Sequence, residues 1–197
     1  ALDAADTDGL TALTEGAVAL YNCVNPADYT QWQSVWPPIA RSLRTVAERT
    51  GAVLAVTGCL YPYGPVPDGV MREGMPDAAT DAKGVLRASM WAELADAHRA
   101  GTLRAVEVRA SDYVGTGVGP NGHVTRVLPA ARAGRTAWVV DAADVPHSFT
   151  DVLDEARALI AVVDDPSTWG RVWHAPTNPP VTLRRAIGDV LEAAGLP

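Results

Sequence analysis

The chain holds one lysine, Lys83, against 15 arginines, and its basic residues are outnumbered by 23 acidic ones. A formal net charge of −7 argues against nucleic acid as a partner, because neutralising phosphates takes clustered cations. Apolar runs are short, and none approaches the roughly 18–20 residues that span a bilayer. No charged segment followed by an apolar stretch opens the sequence, so the cytoplasm is the expected location and no membrane partner is expected. Cysteine is scarce too. Cys23 and Cys59 give no disulfide framework, and with His98, His123, His147 and His174 they give no zinc spacing. No two of the histidines stand at i, i+4, and none reads as a metal ligand.

What is present is an ordinary globular composition, 48% apolar and 20% charged over 197 residues, enough for one domain with a real core. Four short apolar runs without polar alternation read as buried parallel strands: Val18–Val24, Ala52–Val56, Arg104–Arg109 and Arg171–His174. Helical patterns lie between them. Over Trp36–Thr50 the apolar face is Ile39, Leu43, Val46 and Ala47. Over Ala79–Ala100 it is Val85, Leu86, Met90, Leu94 and Ala97. Both stop just before a glycine, Gly51 or Gly101, where a left-handed C-cap belongs. Helix, glycine and strand repeated in this way predict βαβ units. The last third reads as helices over Val124–Ala133, Thr150–Val163 and Val181–Ala194, with a short strand at Ala137–Val140. An acidic helix is expected ahead of the first strand.

Ligands of parallel sheets bind beyond the carboxyl ends of the strands. The strand ends Cys23–Asn25, Thr57–Cys59 and Ala110–Asp112 are therefore the candidate site. One motif competes with them. Within Gly115–Gly122, Gly117, Gly119 and Gly122 spell G-x-G-x-x-G, and Asp141 follows about twenty residues on. Seven residues separate the preceding strand from Gly117, and Pro120 removes a backbone donor inside the motif. The stretch reads as a substrate-side loop.

In order and spacing, "ALYNCVNP", "AVLAVTGCLYPYGP", "DAATDAKGVLRASM", "RAVEVRASDYVGTG" and "VPHSFTDVLDEARAL" resemble successive segments of the extended and atypical short-chain dehydrogenase/reductases, the NAD-dependent epimerase/dehydratase group. The resemblance implies an α/β fold, a Rossmann-like parallel sheet present from its fourth strand onward, with a small, mostly helical C-terminal region. Residues 1–114 would be the second half of the nucleotide-binding domain. Residues 115–197 would be substrate-side loops, helices and a small subdomain, with 150–175 packing back on the sheet. The family's phosphate-binding loop belongs upstream of Ala1, so the expectation is that about a third of a longer protein precedes this chain, or that a partner chain supplies that half.

The same resemblance implies NAD or NADP as cofactor, lined by Cys23, Val24, Asn25, Thr57, Gly58, Lys83, Ala110, Ser111 and Asp112. It implies a substrate contacted by Tyr61, Tyr63 and Tyr113, and a homodimer through helices over 36–50 and 79–100. Lys83 and Cys59 fall at catalytic positions, Lys83 as the family's lysine and Cys59 in place of its Ser or Thr. The family's catalytic Tyr stands four residues before that lysine, and here the position is Ala79. Alanine has no proton to exchange. Lys83 is either a ribose ligand or a surface lysine, Cys59 either a structural thiol or a nucleophile, Asp112 either a ligand contact or a loop hydrogen-bonder. Asp154 is either an acid/base group or a capping residue. Trp32 and Trp36, with the three tyrosines, either pack beneath the cleft or line it.

The readings that follow are an NAD(P)-dependent oxidoreductase or epimerase/dehydratase acting on a small polar substrate such as a nucleotide sugar, a non-catalytic NAD(P)-binding sensor or scaffold, or a truncated form that binds no cofactor.

Overall fold

The computed structural model describes residues 2–67, 69–140 and 142–196. Asp141, the acidic residue paired above with the glycine motif, lies outside them. The chain divides into two compact units. The first comprises residues up to Ala110 together with Arg157–His174, and the second comprises Ser111–Ala156 and residues from Ala175 onward.

The first unit is built on a four-stranded parallel sheet. Its strands are β1 (Ala19–Asn22), β2 (Val53–Cys59) and β3 (Arg104–Ala110), and the fourth is Val172–His174. They lie side by side in chain order, and each of the four falls within or beside its expected run. Val53 pairs with Ala19 on one side and Arg104 on the other, so the strands start level. β2 and β3 then run on to the pair Cys59 and Ala110.

This unit holds the helices α1 (Thr7–Leu13), α2 (Trp32–Thr50) and α3 (Ala82–Arg99), and most of a later helix, residues 157–164. α2 buries Trp32, Trp36, Ile39, Val46 and Ala47, spaced at whole turns, and ends on Gly51 at φ 71°. α3 starts three residues later than expected, because the Asp81 side chain accepts from the N–H groups of Lys83 and Gly84, both at 3.0 Å, and so caps the helix. Its buried face also differs from the expected stripe: Trp91 is inside, whereas Val85 is 48% exposed. Leu54, Val56 and Ala105 of the sheet pack with Ala47, Trp91 and Leu94 of the helices as one core.

The second unit holds more strand than its sequence pattern suggested. Asp112–Val114 (β4) pairs in parallel with Phe149–Asp151, and Pro146–His147 (β5) pairs antiparallel with Val181–Thr182. In chain order the remaining strands are thus β6 (Phe149–Asp151), β7 (Val172–His174) and β8 (Val181–Thr182). Helices α4 (Leu128–Arg132), α5 (Val152–Asp164) and α6 (Leu183–Ala193) complete the chain. The helix expected over Val124–Ala133 is a 3₁₀ turn at Thr125–Val127 followed by α4. The strand expected at Ala137–Val140 is irregular, with Trp138 85% exposed: among the described residues no other segment pairs with it in a ladder.

The glycine motif follows β4 as a succession of turns, and the next helical segment is only that 3₁₀ turn. A phosphate-binding fingerprint must open a helix whose N–H groups face the anion. Gly115 has a different reason to be glycine. Its φ is 108°, and a Cβ there would stand 2.8 Å from Asp151 Oδ2. Among the described residues no helix is long and apolar enough to cross a membrane.

Candidate functional site

At the carboxyl edge of the first unit's sheet, β1 and β2 converge through Thr57, whose hydroxyl donates to Cys23 Sγ at 3.6 Å. The Asn22 side chain turns the chain after β1 by accepting from the Val24 N–H at 3.2 Å. Thr57's carbonyl is held from α3, where Arg87 Nη2 donates to it at 2.8 Å. The structure thus brings Cys23, Val24, Thr57 and Cys59 to one edge, as their strand-end positions imply. Ala110 ends β3 there. Asn25 follows Val24 in the same loop, and Ser111 and Asp112 begin the second unit.

Beside this edge, and unforeseen from sequence, lies a buried ionic cluster. Arg109, 1% exposed, donates through Nη1 and Nη2 to the two oxygens of Asp77 at 2.6 and 3.0 Å, and through Nε to Glu107 at 2.8 Å. Its guanidinium lies over the Tyr63 ring at 4.7 Å. Burial alone would lower the Arg109 pKa, but the bond to Asp77 and the charges of Glu107 and Asp77 raise it above its ordinary value. Burial pushes Glu107 up, with Arg109 and Arg87 pulling it back. Gly58 sits against this cluster: a Cβ there would come within 2.8 Å of Glu107 and 2.9 Å of Arg109. The signal was available in "RAVEVRA", where two opposite charges at i, i+2 of an otherwise apolar strand share one face and must be paired if buried.

Tyr63, placed by resemblance on a substrate wall, is 1% exposed, and its hydroxyl is hydrogen-bonded with His174 Nε2 at 2.8 Å. Burial raises the Tyr63 pKa despite Arg109. Burial, followed by the opposing influences of Glu73 and Arg109, leaves His174 below its ordinary value. The His174 N–H donates to Glu73 at 2.7 Å. Tyr61 is 42% exposed and stands 6.0 Å from Trp32, which packs on Tyr29 at 4.5 Å.

Lys83 lies in the first turn of α3, half-buried, with its ammonium 5.4 Å from the centre of the Tyr29 ring. Among the described residues it has no carboxylate partner. Ala79 is clamped. Its N–H donates to the Pro62 carbonyl at 3.0 Å, and a Cβ on Gly84 would stand 2.4 Å from the Ala79 methyl. Cys59 is held protonated at neutral pH: burial pushes its thiol up, outweighing the Arg87 charge and a backbone bond at Tyr61.

In the second unit Asp112 Oδ2 lies 2.5 Å from His147 Nε2 and 3.7 Å from His123 Nε2, and the two imidazoles stack at 6.0 Å. Burial raises the Asp112 pKa, but the bond from His147 and the charges of His123, His147 and Arg126 outweigh it and leave the carboxyl below its ordinary range. Ser111 is used structurally, its N–H donating to Thr150 and its hydroxyl to the Ser148 carbonyl. Tyr113 is half-buried in β4, and Asp154 is in the first turn of α5, where a carboxylate favours the dipole. No group of three or more His, Cys, Asp or Glu among the described residues is arranged to hold a metal ion.

The whole chain superposes on a UDP-glucose 4-epimerase of Thermus thermophilus in complex with NAD, with a TM-score of 0.81. The fold is that of the NAD-dependent epimerases and dehydratases. Identity to that structure is 17%, and the chain covers 68% of it. A UDP-N-acetylglucosamine 4-epimerase of Methanobrevibacter ruminantium is similar over 98% of this chain and 66% of its own, at 14% identity and a TM-score of 0.85. A dTDP-glucose 4,6-dehydratase of Bacillus anthracis in complex with NAD matches with a TM-score of 0.84 and 14% identity, over 98% of this chain and 63% of its own. The chain thus spans about two thirds of the length of these epimerase/dehydratase-fold structures. No protein family and no curated protein matches the sequence.

Proposed function

We propose that this chain is the strand-4-onward part of an NAD(P)-dependent protein of the epimerase/dehydratase kind, acting on a small polar hydroxyl or carbonyl compound such as a nucleotide sugar. The fold likeness to NAD-bound structures carries this reading. The residues fit the holding of a dinucleotide better than the full chemistry. The sheet edge ends in small side chains at Cys23, Gly58 and Ala110, and Lys83 offers an ammonium without a carboxylate partner. In this reading Lys83 holds the nicotinamide ribose, with Cys23, Val24, Asn25 and Thr57 along the edge. Tyr61, of the same unit, is a substrate contact. A bound nicotinamide supplies hydride acceptance and donation, and a homodimer forms through the helices over 36–50 and 79–100.

A second reading has a specific observation in its favour. The methyl of Ala79 packs against Gly84, and the resemblance gives position 79 to the family's phenol. Alanine has no proton to exchange at that position, which favours a non-catalytic NAD(P) binder.

Thermal unfolding with NAD+ and NADP+ tests the shared premise. A ligand at 100 times its dissociation constant adds about 2.7 kcal/mol of stability. No shift with either, in this chain and in a form extended upstream, removes both readings. Binding with no sugar of a nucleotide-sugar panel converted, followed by chromatography of the sugars as well as by nicotinamide absorbance, selects the non-catalytic binder.

A further inference from the structure

Between α2, α3 and the sheet of the first unit lies a cavity of about 20 Å³, room for one water, which needs about 10–15 Å³. Leu54, Met90 and Trp91 are among its apolar lining, and its polar groups are Asn22, Arg87 and Glu107. Arg87 is 4% exposed and fixed in direction. Its Nη2 donates to the Thr57 carbonyl at 2.8 Å, and its guanidinium lies over the Trp36 ring at 4.7 Å. The Arg87 Nε–H is buried, and among the described residues it meets no acceptor. Nor does Arg87 form an ion pair among those residues, although its charge acts on Glu107. A buried donor left unbonded costs its full desolvation, and more so on a charged group.

We propose that one water molecule occupies this cavity as a fixed part of the fold, accepting from Arg87 Nε and donating to Glu107. The two charges then form a water-separated ion pair. Glu107 Oε2 accepts from Arg109, so Oε1 is the oxygen left for the water. Asn22, whose Oδ1 is taken by the Val24 N–H, has its amide NH2 to offer as a third partner. Three hydrogen bonds are the usual complement of an internal water. The lining itself disfavours ions, because Glu107 repels chloride and Arg87 repels sodium or ammonium. A neutral molecule that both donates and accepts suits the two together. This inference stands whether or not the first unit binds a dinucleotide.

The test is dipolar contact between water and the isotopically labelled whole chain, without nicotinamide. It is read by rotating-frame magnetisation transfer, in which contact and proton exchange have opposite signs. Water is expected to give contact peaks at the Arg87 Nε proton and at the Leu54 methyls. The Arg87 resonance should stay in place when chloride replaces sulfate in the buffer. In Arg87→Met the water contact at Leu54 is lost. No contact at Arg87 in the unsubstituted protein, a shift of its resonance that saturates with chloride, or a contact at Leu54 that survives Arg87→Met each overturns the assignment. The first two readouts need no variant to fold. Because no nicotinamide is present, failure here leaves the dinucleotide reading untouched.

Discussion

Arg109 grips Asp77 with both terminal nitrogens, at 2.6 and 3.0 Å, and at the same time holds Glu107, two residues before it on the same strand. A cation 1% exposed is satisfied only because two carboxylates converge on it. Removing the cation leaves Glu107, 2% exposed, without its hydrogen-bonded ion-pair partner. Arg109→Met is therefore expected to cost about 3–5 kcal/mol, whereas the double variant Glu107→Leu/Arg109→Met recovers most of it. Urea unfolding with unchanged m values checks both.

The seam at Ala79 makes a second expectation. Gly→Ala inside a helix ordinarily gains about 1 kcal/mol. At Gly84 the added methyl meets the Ala79 methyl and the Tyr61 carbonyl oxygen, at 2.4 and 2.7 Å. Gly84→Ala should instead destabilise by about 1–3 kcal/mol. A rise in Tm for this variant would show that the seam is open enough to take a larger side chain at position 79.

His174 gives a pH dependence whose sign is definite. Its folded pKa lies below the unfolded value of 6.5, chiefly through burial. Between the two values the unfolded chain binds the proton that the folded chain refuses, so stability is present above 6.5 and falls as pH drops through that window. The slope of stability against pH below 6.5 should be shallower in His174→Gln. Equal slopes in the two proteins would mean that His174 titrates alike folded and unfolded.

The two thiols should separate by reactivity. Cys23 is exposed and Cys59 is held protonated by burial. Brief treatment with iodoacetamide near neutral pH is expected to label Cys23 and spare Cys59, with both labelled in urea. Mass spectrometry of the digested protein reads this directly. Labelling of Cys59 in the native protein would return it to consideration as a nucleophile.

Local pattern determined the alternation of the first unit. Buried parallel strands are continuous apolar runs, and helices ending at Gly51 and Gly101 carry their stop signal in the next residue, so each element is readable from its own neighbourhood. The strand ends Cys23, Thr57, Cys59 and Ala110 followed from that alternation. Pairing was decided elsewhere. "TAWVV" is as strand-like as "VALYN", but a strand exists only where another backbone meets its N–H and C=O groups. Phe149–Asp151 and Val181–Thr182 found such partners, whereas Ala137–Val140 did not. The same holds for charge. Glu107 and Arg109 announce a buried pair by their spacing, but Asp77, 32 residues from Arg109, completes it only through the fold. His147 reaches Asp112 across 35 residues, and nothing in the sequence marks those two as neighbours. Contacts of that kind depend on where whole elements are set down, and the tertiary structure alone decided them.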